Sequence, residues 1–388
     1  MKMKITTASI PSDAMADPFA GGQPPHVSNR IREYRKISNW ENYFLCSAIC
    51  SVGKSLGVAI DDYHFYAAFT GDMFTYLYSE KVGNPDGSQC DSGVTNSFID
   101  PLAVKKAFAA MGYECIYLSN AQIKKDFRAA MNAIKASVDK GIPVVAWGIG
   151  NVTLRDGSRY DPLGEGCLIG GYDGDTLYVN LYTGPERLPE GSVDADGYSA
   201  IVNGLDTTNG LFFVGKKIEN QDRRQVYQDA INSIPAFLTL PPSQSYEVNN
   251  DKEKFVAGKH RYVFGKQAFE TWAATLLADE YFEGKTDEEL GGICWNLHCS
   301  PYCCVCTSTA YEWMKKVAED YPDMAMVAKL VPLYKKMQDH KDEIWALSGG
   351  FYPPMDKFRT HEFRAQIAEV LRRMGGICDE IVQAFEKE

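Results

Sequence analysis

The sequence predicts an α+β fold in which helices precede an antiparallel sheet, followed by an all-helical domain. Apolar residues recur at helical spacing up to residue 112, short β-rich runs separated by turn signals follow, and helical spacing returns after residue 219. A chain of 388 residues also exceeds the length at which a single core stops growing, about 250 to 300 residues. Two domains are therefore expected, over residues 31–220 and 221–388.

The first part of the chain is expected to form a tail and then three helices. Residues 1–30 contain clustered proline and glycine, which predicts a flexible tail. Ser38 and Glu41 have the spacing of a capping box, and Gly57 is placed to end the helix that they open. The three expected helices cover residues 38–57, 61–79 and 101–111.

Strands and one helix are expected to follow. The turn signal Asp173-Gly174-Asp175 lies between two β-rich runs and predicts a hairpin. No helical segment separates the last three runs, so the sheet is expected to be antiparallel. The expected strands cover residues 115–118, 143–147, 167–172, 177–182 and 211–214, and the expected helix covers residues 121–138.

The second domain is expected to be helical. Residues 239–251 contain two prolines and two asparagines and are expected to form a loop. Beyond them, Phe269, Trp272 and Leu276 lie at helical spacing, and the same spacing recurs from Phe363 onward. One short extended piece is expected over residues 261–264.

Charge and motif content exclude several function classes. The 51 acidic residues outnumber the 40 basic ones, which argues against binding to nucleic-acid backbones. No apolar run is long enough to cross a membrane, and no signal peptide is recognisable. Neither a GxGxxG nor a phosphate-binding loop occurs, so no cofactor is expected. Eleven cysteines diluted over the chain are typical of reduced thiols in the cytoplasm. The oligomeric state is left open.

The order of elements and two motifs point to a known fold. A helix with Cys46 near its start precedes the strand Pro143-Val-Val-Ala-Trp147, and then the strand pair around Gly171-Tyr172-Asp173. Over residues 38–218 the chain resembles the papain-like cysteine peptidase fold. It is most similar to the peptidase domains of bacteriocin-processing transporters and to the butirosin biosynthesis protein H-like acyltransferases, in which helices also follow this domain.

The resemblance implies positions for the catalytic residues. In the family a Cys begins the first helix and a Gly ends it, and counting back from Gly57 puts the nucleophile position on Phe44, two residues before Cys46. The asparagine position falls on Asn180.

The histidine position falls on Glu165 or Cys167. The glutamine that forms the family's oxyanion hole would fall near Ser38 and Asn39, where this chain has no glutamine.

A histidine base is missing from the sequence where the fold requires one. Only the thiolate of a cysteine attacks a carbonyl, so a nearby base must remove the thiol proton. No histidine occurs between His64 and His260. Two interpretations of Cys46 remain. The helix dipole could lower its pKa, with Asn180 as the orienting residue, or Cys46 could simply pack, together with Cys50, in the core.

These residues predict a domain without the standard Cys-His-Asn site, a pseudoenzyme that binds a peptide, a carrier-linked acyl group or a small molecule. The alternative is an active acyltransferase or amide hydrolase that uses Cys46. Aromatic residues often line small-molecule clefts, and the positions implied by the family resemblance add further candidates. The residues expected to line the cleft are Phe44, Asn39, Trp147, Cys167, Tyr172, Trp295 and Cys304.

Residues 294–306 contain five cysteines and His298. They could bind zinc or an iron-sulfur cluster, but the spacing lacks the paired knuckles of recognised sites. Packing in a helical core is the other interpretation, and no metal ligand is assigned. Tyr302 and Cys304 resemble a Tyr-x-Cys motif that butirosin biosynthesis protein H-like proteins have near this point.

Overall fold

The structure is a computed structural model, and it describes most of the chain. The described residues are 26–37, 41, 43–60, 62–81, 102–160, 167–181, 189–219, 222–241, 260–299, 301–302 and 309–386.

The chain separates into two compact units that do not follow the sequence order strictly. The first unit contains Met1–Thr70 and Asp100–Gln221. The second contains Gly71–Ile99, Asp222–Val248 and Lys252–Glu388. The division near residue 221 lies beside the boundary expected from the sequence, but the described residues 71–81 cluster with the helical unit instead of the first domain.

The described part of the chain contains strands and helices in the following order. The strands are β1 (Ser28–Arg30), β2 (Leu77–Lys81), β3 (Tyr113–Ser119), β4 (Val144–Ile149), β5 (Val152–Thr153), β6 (Arg159–Tyr160), β7 (Cys167–Asp173), β8 (Thr176–Leu181), β9 (Ser199–Ile201), β10 (Thr208–Lys217) and β11 (His260–Phe264). The helices of the first unit are α1 (Phe44–Ser55), α2 (Tyr63–Thr70), α3 (Leu102–Met111), α4 (Asn120–Lys125), α5 (Phe127–Asp139) and α6 (Gly204–Thr207).

The helices of the second unit form most of its described residues. They are α7 (Arg223–Asn232), α8 (Ile234–Leu238), α9 (Gly265–Leu277), α10 (Asp287–Cys294), α11 (Ala310–Asp320), α12 (Ala325–Ser348), α13 (Met355–Phe358) and α14 (His361–Glu386). A 3₁₀ turn at Asp279–Tyr281 and a π-helix at Trp295–Cys299 complete the set. Strands β2 and β11 pair as an antiparallel ribbon in this unit.

An antiparallel sheet organises the first unit. Its strand order is β3-β10-β4-β7-β8-β9, and β1 pairs with the far end of β7. Helices α4 and α5 cover one face, where Ile134, Ala146 and Val179 belong to one continuous core. Helix α1 contacts β4 and β7, and its residues are absent from that core, which places it on the other face. The mixture of helices and antiparallel strands confirms the predicted α+β class.

The predicted β7–β8 hairpin is confirmed, with Asp173 paired to Thr176 across a two-residue turn. The predicted helix over residues 121–138 is instead two helices. Asp126 has φ −144°, ends α4 and accepts a hydrogen bond from Ala129 N that caps α5. The side-chain cap formed by Asp126 therefore divides the predicted helix over residues 121–138 into two helices.

Two predictions for the N-terminal helices are wrong. Helix α1 begins at Phe44 without a side-chain cap. Glu41, expected in a capping box, forms an ion pair with Arg35, and Ser38 lies outside the described residues. The helix expected over residues 61–79 ends at Thr70. Gly71 follows with φ +83°, a conformation that favours glycine, and residues 77–81 are strand β2.

Residues 28–30, expected in the tail, form β1. Residues 1–25 lie outside the described part of the chain. Among the described residues, no helix has the length and apolarity that crossing a membrane requires.

Candidate functional site

Phe44 and Cys46 occupy the first turn of α1. The helix begins at Phe44, the residue on which the family resemblance would place the nucleophile. Phe44 is 2% exposed and Cys46 is 0% exposed. The Sγ of Cys46 lies 3.5 Å from Oγ1 of Thr70 in α2, and Thr70 itself donates to the Ala67 carbonyl. Cys46 is thus a buried thiol between two helices.

The same flank of α1 continues as a packing surface. Cys50, one turn after Cys46, is 0% exposed, and its Sγ lies 4.0 Å from the Ile60 carbonyl oxygen. A Cβ added at Gly53 would lie 2.7 Å from the hydroxyl of Tyr66. The close approach of α2 along this flank favours the interpretation in which these cysteines pack.

A row of five residues crosses the sheet on the α1 side. The register pairs Tyr117 with Phe212, Phe212 with Val145, Val145 with Leu168, and Leu168 with Asn180. Residues directly opposite each other in an antiparallel pair point to the same face. The side chain beside Asn180 on this face is therefore the aliphatic Leu168, which is 0% exposed.

The amide of Asn180 is engaged at both ends. Its Oδ1 accepts a hydrogen bond of 2.8 Å from the backbone N–H of Ile37. Its Nδ2 donates to the Gly197 carbonyl at 3.3 Å. Asn180, predicted as an orienting residue, thus connects the segment before α1 to the loop after β8.

Two of the predicted cleft residues point away from α1. Cys167 and Tyr172 belong to the core beneath α5, on the face opposite Asn180. The Tyr172 hydroxyl lies 2.7 Å from Asp139 Oδ1, and burial together with this hydrogen bond raises the pKa of Tyr172. The prediction that they line a cleft with Cys46 is therefore wrong. Trp147, two residues after Val145 on β4, lies on the α1 face and is 1% exposed.

The described histidines of the first unit are His26 and His64. His64 Nδ1 lies 3.0 Å from Asp62 Oδ1 at the start of α2. Thr70, which contacts Cys46, lies at the other end of α2, and six helical residues span about 9 Å. His26 lies two residues before β1, and its backbone carbonyl accepts a hydrogen bond from the Tyr172 hydroxyl. Neither of these two described histidines belongs to the row of paired residues that contains Leu168 and Asn180.

A cluster that sequence reasoning missed lies beside Asn180. The Nη1 of Arg30 is 2.6 Å from Asp194 and 3.2 Å from Asp196, and its guanidinium lies 3.8 Å from the centroid of the Tyr178 ring. Tyr34 stacks on Tyr198, with ring centroids 4.7 Å apart. Arg30 lies in the segment that the sequence predicts to be a flexible tail. The sequence signal that could have indicated the cluster is the contrast between the mostly basic residues 30–36 and the acidic residues 190–196.

The described part of residues 294–306 is a buried polar cluster in the second unit. The Sγ atoms of Cys294 and Cys299 are 3.8 Å apart. Nε2 of His298 lies 3.2 Å from Ser348 Oγ. The hydrogen bond to Cys299, and then burial, raises the pKa of Cys294. Burial lowers the pKa of His298 to about 4. Among the described residues, no three His, Cys, Asp or Glu side chains are grouped to hold a metal ion.

The remaining predicted residues have separate outcomes. Trp295 lies in the π-helix of the second unit and stacks on Tyr352, with ring centroids 6.1 Å apart. Asn39, Glu165 and Cys304 lie outside the described residues.

Neither the protein-family models nor the curated proteins contain a match to this chain.

Proposed function

We propose that the first unit is a papain-like domain, related to the butirosin biosynthesis protein H-like acyltransferases, that binds a ligand in the cytoplasm without cysteine catalysis. The ligand would be a peptide, a carrier-linked acyl group or a small molecule. The observation that carries the proposal is the pairing of Leu168 with Asn180, because the side chain beside the asparagine on this face of the sheet is aliphatic and cannot act as a base.

The surroundings of Cys46 support this role. A free thiol has a pKa of about 8.5, so it is mostly protonated at neutral pH and needs a base or a positive charge for activation. The neighbouring Thr70 hydroxyl cannot accept a proton from a thiol at that pH, and Asn180 already makes two hydrogen bonds. Helix α1 supplies its dipole, but Cys46 is 0% exposed, and burial in apolar surroundings opposes the thiolate.

Alkylation kinetics test the proposal. The native protein is treated with iodoacetamide at neutral pH, digested, and the modified cysteines are quantified by mass spectrometry, with fragment ions separating Cys46 from Cys50. We expect Cys46 to react no faster than Cys167, a buried cysteine of the same unit. Both should react readily after denaturation, which is the control for labelling chemistry.

An activated nucleophile would behave differently. Labelling of Cys46 faster than Cys167 by about tenfold or more would indicate a stabilised thiolate. That result would overturn the proposal and favour the alternative, an acyltransferase or amide hydrolase that uses Cys46.

A further inference from the structure

Residues 26–37, here called the N-terminal strap, contain strand β1 and hydrogen-bond to the sheet at β7 and at Asn180. Strand β1 within the strap pairs antiparallel with residues 171–173 of β7. The N–H of Ile31 then donates to the Gly170 carbonyl at 2.8 Å, and the N–H of Gly174 donates to the Val27 carbonyl at 3.1 Å. This is the main-chain geometry with which an extended peptide adds to a sheet edge.

Side chains of the sheet and of residues 189–198, here called the acidic loop, hold the strap along its length. The Tyr198 hydroxyl donates to the Ile31 carbonyl at 2.8 Å, and Asn180 accepts from the N–H of Ile37 at 2.8 Å. The Tyr34 hydroxyl donates to the Asp196 carbonyl at 3.2 Å. Gly171 allows the strap backbone to approach closely, since a Cβ at this position would lie 3.0 Å from the Asn29 carbonyl oxygen.

Charge complementarity defines what the surface recognises. The strap carries four basic residues and one acidic residue, whereas the acidic loop carries three acidic residues and no Lys or Arg. Arg30 meets two carboxylates and the face of Tyr178, which combines an ion pair with a cation–π contact. Four residues later, Tyr34 stacks on Tyr198.

We infer that β7, β8 and the acidic loop form a peptide-binding groove for an extended basic segment with an arginine and, four residues later, an aromatic side chain. The strap fills this groove within the chain, and a peptide of the same chemistry from a partner protein displaces it. The inference rests on the proposed binding role of the first unit and names its ligand class.

The test uses the full chain in two forms. In the first form Arg30→Ala and Tyr34→Ala together weaken the strap, and the second form is the wild type. The probe is a fluorescently labelled synthetic peptide with the sequence of residues 26–37, followed by fluorescence anisotropy. We expect the weakened chain to bind the probe at least about tenfold more tightly than the wild type, because a tethered strap competes at a high effective concentration.

Matched controls identify the contacts. A probe with glutamate at the position of Arg30 should bind the weakened chain at least about tenfold less tightly at low salt concentration. The reason is that the glutamate would be repelled by the carboxylates of Asp194 and Asp196. Adding Asp194→Asn and Asp196→Asn to the weakened chain should reduce binding of the original probe. Trypsin cleavage within the strap, at Arg32 or Arg35, should be faster in the weakened chain than in the wild type.

Three results would overturn the inference. The first is faster trypsin cleavage of the weakened chain without binding of the probe. The second is equal cleavage of the weakened and wild-type chains, which would show that Arg30 and Tyr34 do not anchor the strap. The third is equal affinity of both chains for the probe. A wild-type mass of two chains by light scattering would assign the groove to the strap of a second copy instead of a separate partner. Cys46 takes no part in this titration, so its outcome is independent of the alkylation test of the proposed function.

Discussion

Protonation of His298 should make the second unit less stable below neutral pH. The imidazole is 1% exposed, lies among the rings of Trp272, Tyr302 and Phe358, and shares one hydrogen bond with Ser348. No carboxylate is hydrogen-bonded to it among the described contacts. Burial therefore disfavours the charged form, and it lowers the pKa of His298 to about 4.

The size of the effect follows from proton linkage. An unfolded histidine has a pKa of about 6.5, so between that value and the folded one the unfolded chain binds a proton that the folded chain does not. The stabilisation that comes from keeping His298 uncharged is thus fully present above about pH 6.5. It is lost as the pH decreases from that value through the folded pKa. At about 1.4 kcal/mol per pKa unit, the complete loss is about 3 kcal/mol, of which about 2 kcal/mol falls between pH 7 and pH 5.

Urea unfolding at pH 7 and pH 5, followed by tryptophan fluorescence, measures this loss. His298→Gln retains a polar group for Ser348 but cannot titrate, so its free energy of unfolding should change about 2 kcal/mol less over this interval than that of the wild type. His340→Gln is the control for the loss of an imidazole from the same unit, because His340 is only partly buried beside Glu343. Equal pH dependence of His298→Gln and wild type would refute the reasoning.

Two further substitutions test packing in each unit. Gly170→Ala would place a Cβ 2.1 Å from the Tyr198 hydroxyl and should cost about 1 to 3 kcal/mol in urea unfolding; an unchanged midpoint would show that Tyr198 moves aside freely. Arg364 is 1% exposed and donates to the Leu276 and Phe358 carbonyls. Arg364→Lys should lower the thermal midpoint with a loss of about 3 kcal/mol, since one ammonium cannot replace the guanidinium fork, and a stability equal to the wild type would contradict this.

Local sequence patterns predicted most elements of the sheet because strand alternation and turn residues act over a few positions. The hairpin at Gly174 is an example. The helix breaks were harder to predict. Asp126 caps one helix while ending another, and Gly71 stops α2 where an added Cβ would lie 2.2 Å from Phe237. Phe237 is remote in sequence, so the local pattern of residues 61–79 contained no sign of this contact.

The faces of the sheet on which the candidate site residues lie could not be predicted from the sequence. Cys167 pairs with Leu181 and lies one register step from the Leu168–Asn180 pair, so it points into the opposite core. An irregularity between Ile169 and Gly171 then shifts the pairing, which puts Tyr172 on the same face as Cys167. The face on which a side chain lies depends on the strand register. The register depends on contacts between strands, which the local sequence does not show.

The side-chain amide of Asn180 is committed to holding the strap and the acidic loop. To orient a histidine, the side-chain oxygen of an asparagine must accept the imidazole N–H. Here that oxygen accepts from Ile37 at 2.8 Å and the amide nitrogen donates to Gly197. A histidine in place of Leu168 would therefore find the amide already hydrogen-bonded by the strap and the acidic loop. The chain thus uses Asn180 to hold its own N-terminal strap, which is the binding chemistry that we propose for this unit.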